Sequence, residues 1–92
     1  MRVISVLHVD DEGDFRDLAR LFLERAGDIR VEGVGSAGAA LERLNRNGYD
    51  AVISDYQMPG MDGITLLKRL REGGNPIPFI ILTGRGREQV AI

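Results

Sequence analysis

Short runs rich in β-branched residues alternate with longer segments of helical period, joined by short links, and this rhythm limits the folds open to the chain more than any other feature. Val3 to Val9 is a strand run, stopped by Asp10-Asp11-Glu12-Gly13. From Asp14 the period changes: Phe15, Leu18, Ala19, Phe22, Leu23 and Ala26 share one helical face, and Gly27 follows as a C-cap. Ile29 to Val34 alternates apolar and polar residues, as an edge or half-exposed strand does. Ser36 is a good N-cap for a second helix with Ala37, Ala40, Leu41 and Leu44 on one face, closed by Asn47-Gly48. Ala51 to Ser54 reads as a central strand covered on both faces. A loop with Pro59-Gly60 follows Asp55, and Asp62-Gly63 opens a third helix whose buried stripe is Ile64, Leu67 and Leu70, ended by Gly73-Gly74. Phe79 to Leu82 is a fourth strand, apolar on both sides; after the Gly84-Arg85-Gly86 loop, Arg87 to Ile92 reads as the opening of a fourth helix. The order βαβαβαβ with short links predicts one α/β domain, a parallel sheet wrapped on both faces.

Composition narrows the function classes. Ninety-two residues can bury one core with little stability to spare. A net charge of −2 offers neither the basic face that nucleic acid requires nor a polybasic patch for an anionic membrane. Cysteine is absent, so zinc-thiolate sites and thiol catalysis are excluded. No apolar stretch approaches the roughly 20 residues of a membrane span. The first residues are interrupted too soon by acids for a secretory signal, so a cytoplasmic location is expected.

In open α/β sheets the site lies outside the carboxyl ends of the strands. Asp10-Asp11-Glu12 follows the first strand, Asp55 the third, and Thr83 ends the fourth, so carboxylates and a hydroxyl gather at one rim. A dinucleotide fold would place a Gly-rich turn there, where N–H groups can approach a pyrophosphate. These carboxylates repel phosphate unless a cation intervenes, and Mg²⁺ takes one or two carboxylates, several waters and phosphate oxygens. Binding a divalent ion also relieves the mutual repulsion of clustered acids. The spacing alone leaves metal-assisted phosphoryl chemistry beside a merely solvated acidic loop end.

Leu7-His8-Val9-Asp10-Asp11-Glu12 resembles the first strand and acidic pair of response-regulator receiver domains of two-component signalling. Asp55-Tyr56-Gln57-Met58-Pro59-Gly60-Met61-Asp62-Gly63 is similar to that family's phosphoacceptor loop, nearly residue for residue. Pro78-Phe79-Ile80-Ile81-Leu82-Thr83 resembles its fourth strand with the switch hydroxyl at the end. The resemblance covers the whole chain. It implies a flavodoxin-like doubly wound parallel sheet, here in the order 2-1-3-4, with residues 1–92 a receiver domain incomplete at its C-terminus. It implies Asp55 as the nucleophile taking a phosphoryl group from a histidine kinase or phosphotransfer protein, in a signalling domain that catalyses only its own phosphorylation and dephosphorylation. Asp10 and Asp11, with Asp55 and the backbone carbonyl of Gln57, are the implied Mg²⁺ ligands, and Thr83 the hydroxyl that turns onto the phosphoryl group. The family's Lys after the fifth strand, and that strand itself, are expected beyond this chain; Lys68 reads as a surface residue and no substitute.

Plainer roles stand beside these. His8 is expected as a packed strand residue, and Glu12 as either a neighbour of the metal or a first-turn acid favouring the helix dipole. Met58 and Met61 read as loop packing, Pro59 and Gly60 as turn formers, and Arg69, Arg71 and Glu72 as a solvated helix face. Gly84, small and next to Thr83, is expected to favour small phosphodonors. A non-phosphorylated pseudo-receiver acting as an interaction scaffold remains the alternative. An Asp-nucleophile phosphatase is disfavoured, since Asp10-Asp11 does not match the Asp-x-Asp arrangement of such enzymes. Without a fifth strand, the edge at Phe79 to Thr83 is expected to be bare and to invite self-association.

Overall fold

The computed structural model describes residues 2–83 and 89–91, and the side chains of residues 2–82. The elements follow the sequence rhythm: β1 (Ile4–Val9), α1 (Gly13–Glu24), β2 (Ile29–Val34), α2 (Ala37–Arg46), β3 (Ala51–Asp55), α3 (Gly63–Glu72), β4 (Phe79–Thr83) and β5 (Gln89–Ala91). The sheet order is β2-β1-β3-β4-β5. The first four strands are parallel, which places the C-terminal ends of β1, β3 and β4 along one rim.

The two faces of the sheet are covered unequally. Leu7 and Val9 of β1, Val52 of β3, and Phe79 and Ile81 of β4 pack with Ala37, Ala40, Leu66 and Leu70 of α2 and α3 into one buried cluster. Among the described residues α1 is the only helix on the other face, and none of its residues is fully buried. Leu18 and Phe22 keep 62% and 66% of their surface exposed, so the apolar stripe of α1 is only partly used. Beside it runs a wholly apolar groove lined by His8, Phe15, Leu18, Phe22, Ile53 and Leu82. Helices thus lie on both faces as expected, but among the described residues the α1 face is covered only in part, and β3 and β4 are not buried on both sides. Their residues alternate instead: Val52, Phe79 and Ile81 are buried, whereas Ile53, Ile80 and Leu82 are half-buried.

Local signals placed most helix ends. The Ser36 hydroxyl accepts a hydrogen bond from the N–H of Ala39 at 3.1 Å, and the Asp62 carboxylate one from Thr65 at 2.8 Å, the expected N-caps of α2 and α3. α1 stops at Glu24, short of Ala26; the Glu24 carboxylate accepts the N–H of Val31 at 2.8 Å, tying the helix end to the edge strand β2. This bond holds the Glu24 carboxyl below its ordinary pKa. In α3 the fully buried apolar residues are Leu66 and Leu70, with Ile64 and Leu67 half-buried, so the stripe is centred one position from the expected Ile64–Leu67–Leu70 line.

The chain end departs from expectation. Gln89–Ala91 forms a strand, not the opening of a helix, and runs antiparallel to β4, with Ile81 opposite Ala91 and Thr83 opposite Gln89. It is thus not the parallel fifth strand that the resemblance implies. It pairs the outer edge of β4 over Ile81 to Thr83, so that stretch is not the bare edge expected to drive self-association. Gly84, Arg85, Gly86 and Arg87 lie outside the described residues.

Candidate functional site

Three elements bring the site together. Asp10 follows the last residue of β1, and its N–H donates to the carbonyl of Val34 at the end of β2 at 3.1 Å. Its carboxylate accepts the N–H of Glu12 at 2.9 Å, an Asx turn that bends the chain into α1. Glu12 is exposed and is the N-cap residue of α1 without a side-chain cap bond. Asp55 ends β3 opposite Leu82 of β4, and the N–H of Tyr56 donates to the Leu82 carbonyl at 2.9 Å.

The loop after Asp55 is closed at its base. The N–H of Gly63 donates to the carbonyl of Tyr56 at 2.9 Å, so α3 starts beside the residue where β3 stops. Met58 anchors the loop in the core, while Pro59 and Gly60 are exposed and Gly60 takes φ 81°, as a turn former does. The N–H of Thr65 bonded to Asp62 holds that carboxyl below its ordinary pKa.

Carboxylate oxygens of Asp10, Asp11 and Asp55 all lie within 4.8 Å of one another. Asp10 and Asp55 are 0% and 1% exposed, and Asp11 is half-buried. Two buried carboxylates that close to a third are costly in isolation, because burial removes the water that would screen their repulsion. An all-oxygen donor set is the chemistry of a hard divalent cation, so these residues fit Mg²⁺.

Of the other sequence candidates, Gln57 is exposed, two residues past Asp55 on the same loop. The backbone of Thr83 ends β4 at the same rim, and its side chain lies outside the description. His8 is buried edge-on against Phe15, with ring centroids 5.7 Å apart, as a packed strand residue should be. Its Nε2 also lies 4.0 Å from an Asp10 carboxylate oxygen. Lys68, Arg69, Arg71 and Glu72 are exposed on α3.

Three residues near the site escaped the sequence reading. Ser54 is buried and its hydroxyl donates to the Asp55 carbonyl at 3.0 Å. Gly63 was read as a helix opener, yet it is also the point where α3 touches the backbone of Asp55. Arg16 of α1 donates from Nη1 to the carbonyl of Asp10 at 2.6 Å. Glycines at Gly33 and Gly35, at the end of an edge strand, were the available signal, since strand glycine marks close approach of another group.

The sequence matches the family described as response regulator receiver domain over residues 6–92. Among curated proteins it is 38% identical over 84 residues to the transcriptional regulatory protein FixJ of Bradyrhizobium diazoefficiens, covering 91% of this chain and 40% of that protein. Among solved structures it superposes on the Francisella response regulator 1452 receiver domain with TM-score 0.84 and 34% identity, over 89% of this chain and 67% of that one. The response regulator TrrA of Thermotoga maritima, in complex with Mg²⁺-BeF, matches with TM-score 0.82 and 30% identity, over 88% of this chain and 70% of that one. The chain spans about two-fifths of the length of the first curated relatives it matches.

Proposed function

The chain belongs to the response regulator receiver domain family, and we propose that it accepts a phosphoryl group on Asp55 from the phosphohistidine of a histidine kinase or phosphotransfer protein. The observation that carries this reading is the gathering of Asp10, Asp11 and Asp55 within 4.8 Å at the C-terminal rim of the sheet. A neighbour of the same fold was solved in complex with Mg²⁺-BeF, which supports a cation in this reading. In this reading the chain is receiver-domain sequence of a cytoplasmic signalling protein, and it covers 67% of the Francisella receiver structure. Among the described residues no helix is long and apolar enough to cross a membrane.

In this reading a carboxylate oxygen of Asp55 attacks the phosphorus of the donor. The new bond is the P–O bond of an acyl phosphate, and the bond that breaks is the donor's P–N bond, whose imidazole leaves and is protonated from solvent. Asp10, Asp11, Asp55 and the Gln57 carbonyl would hold Mg²⁺, which would supply positive charge to offset the negative charge of the loose in-line transition state. Burial of Asp55 at a strand end fixes the nucleophile, since its backbone is tied through Ser54, Tyr56 and Gly63. The exposed turn at Pro59-Gly60 is left to respond, and the Thr83 hydroxyl would turn toward the phosphoryl group to bias the loop.

Acetyl phosphate with Mg²⁺ tests this on the gene product that carries the chain. One phosphoryl group should appear by intact mass, and Asp55→Asn should abolish it, because the amide has nearly the same shape and is a poor nucleophile. Equal labelling of the two proteins removes Asp55 from the role. No labelling of either, with histidine kinase as donor, favours an interaction scaffold instead.

A further inference from the structure

We propose that Arg16 is a positioning residue of the acidic site, seated in a cradle of three glycines so that its guanidinium pins the peptide linking Asp10 to Asp11. The inference rests on the cation reading given above, and concerns what holds the ligands instead of which ligands they are. Nη1 of Arg16 donates to the Asp10 carbonyl at 2.6 Å, a charged donor on a backbone oxygen at short range. That carbonyl belongs to the peptide unit whose other end is Asp11, so fixing its plane constrains both acidic residues. Arg16 is half-buried, and its own N–H donates to the Glu12 carbonyl at 3.0 Å, so the side chain that grips the turn springs from the helix the turn leads into.

Three glycines line this side chain, and Gly33 lies tightest against it. A β-carbon on Gly33 would stand 3.1 Å from Cδ of Arg16, one on Gly35 3.4 Å from Nη1, and one on Gly13 3.5 Å from Nη2. Gly33 and Gly35 flank Val34, whose carbonyl accepts the Asp10 N–H at 3.1 Å. The same three residues at the end of β2 therefore hold Asp10 from its N–H side and the side chain that holds its carbonyl. The nearest atoms to a β-carbon at each of these positions belong to Arg16. Only Gly33 leaves less than ordinary van der Waals space, so it is the position where a side chain would displace the Arg16 stem.

The test is Mg²⁺ binding by isothermal titration calorimetry on the gene product that carries this chain. It is paired with hydrogen exchange at the Glu12 amide, which bonds the Asp10 carboxylate at 2.9 Å. Arg16→Met keeps the apolar stem and removes the donor. It should weaken Mg²⁺ affinity by about 10- to 100-fold, the range for losing support to a metal ligand, and should speed exchange at Glu12 without metal. Arg16→Lys should recover part of the affinity. Gly33→Ala presses on Cδ and should weaken Mg²⁺ binding in the parent but not in an Arg16→Ala background. A merely structural arginine would lower the melting temperature and leave affinity and Glu12 exchange unmoved. Should Arg16→Met fail to fold, Gly33→Ala in the otherwise parental protein carries the comparison, with weaker Mg²⁺ binding and faster Glu12 exchange expected. A parent that binds Mg²⁺, with Arg16→Met and Gly33→Ala binding within twofold of it, overturns this inference alone. A parent that binds no Mg²⁺ overturns the cation reading, and this inference with it.

Discussion

A β-carbon on Gly63 would stand 2.5 Å from the carbonyl oxygen of Asp55, closer than two such atoms can approach. It would also lie 3.1 Å from the Ser54 hydroxyl, and neither neighbour is free to yield, because Ser54 is buried and the Asp55 backbone is part of β3. The first turn of α3 is thus pressed onto the strand end that presents the proposed nucleophile. Gly63→Ala should cost about 1–3 kcal/mol, the range for overpacking a filled site. It should also slow labelling of Asp55 by acetyl phosphate, since relief of the clash moves that backbone. Urea unfolding measures the first effect and timed intact mass the second; an alanine variant with parental values for both would show that the contact is soft.

Asp62 gives a pH dependence with a definite sign. Its carboxylate caps α3 through Thr65, and the bond lowers its pKa from the ordinary aspartate value of about 3.9. The folded pKa lies below the unfolded one, so the contribution of Asp62 is complete above the ordinary value and fades as pH falls through the lowered one. Glu24, lowered by the N–H of Val31, acts in the same direction. Asn caps helices as well as Asp does, so Asp62→Asn should keep most of the stability at neutral pH and flatten its loss below about pH 4. Thermal unfolding from pH 7 to pH 2.5 compares the two slopes, and a variant whose acid limb is as steep as the parent's would assign that limb to other groups.

The metal site carries a stability signature of its own. A cation that binds only the folded protein stabilises it by mass action, about 2.7 kcal/mol at a hundredfold excess over Kd. Asp11→Ala should lose most of that gain, and should leave the metal-free protein as stable as the parent or more so, because one of three mutually repelling carboxylates is gone. Melting curves with and without Mg²⁺ decide it. If the variant gains as much from Mg²⁺ as the parent does, Asp11 is not a ligand.

The sequence made the rim legible because parallel strands with short links leave only one place for Asp10, Asp11 and Asp55 to meet, and their carboxylates do meet there. It could not tell that α1 would be poorly covered by the described residues. The spacing of Phe15, Leu18 and Phe22 says that they share a face, and nothing local says what lies against that face. Arg16 was missed for a related reason: a cation on an amphipathic helix looks solvated until the glycines opposite it are seen to be opposite. The last strand was misread because Arg87 to Ile92 is too short a segment for its period to separate helix from strand, and pairing with the free edge of β4 settles it as a strand. Pairing is a tertiary effect that no local pattern carries.

Leu18 and Leu66 put the unequal cover of the two faces to a direct test. Both are leucines on amphipathic helices, and sequence periodicity treats them alike, yet Leu18 is 62% exposed on α1 and Leu66 is 0% exposed in the α2–α3 core. Leu66→Ala should cost about 2–5 kcal/mol, the lost transfer of its side chain plus a cavity among neighbours such as Leu7, Val52 and Leu70 that cannot collapse fully. Leu18→Gln removes little buried surface and should change stability by only about 0.5 kcal/mol, as surface substitutions do. It should also reduce binding of an apolar dye, because Leu18 lines the open groove with Phe22 and Ile53. Denaturant unfolding of the two variants side by side checks the contrast. A Leu18→Gln loss comparable to that of Leu66→Ala would mean that the α1 face is covered in solution, either by another copy of the chain or by residues that the described structure does not include. Light scattering across a concentration series then separates those two cases, since only association between copies makes the loss depend on concentration.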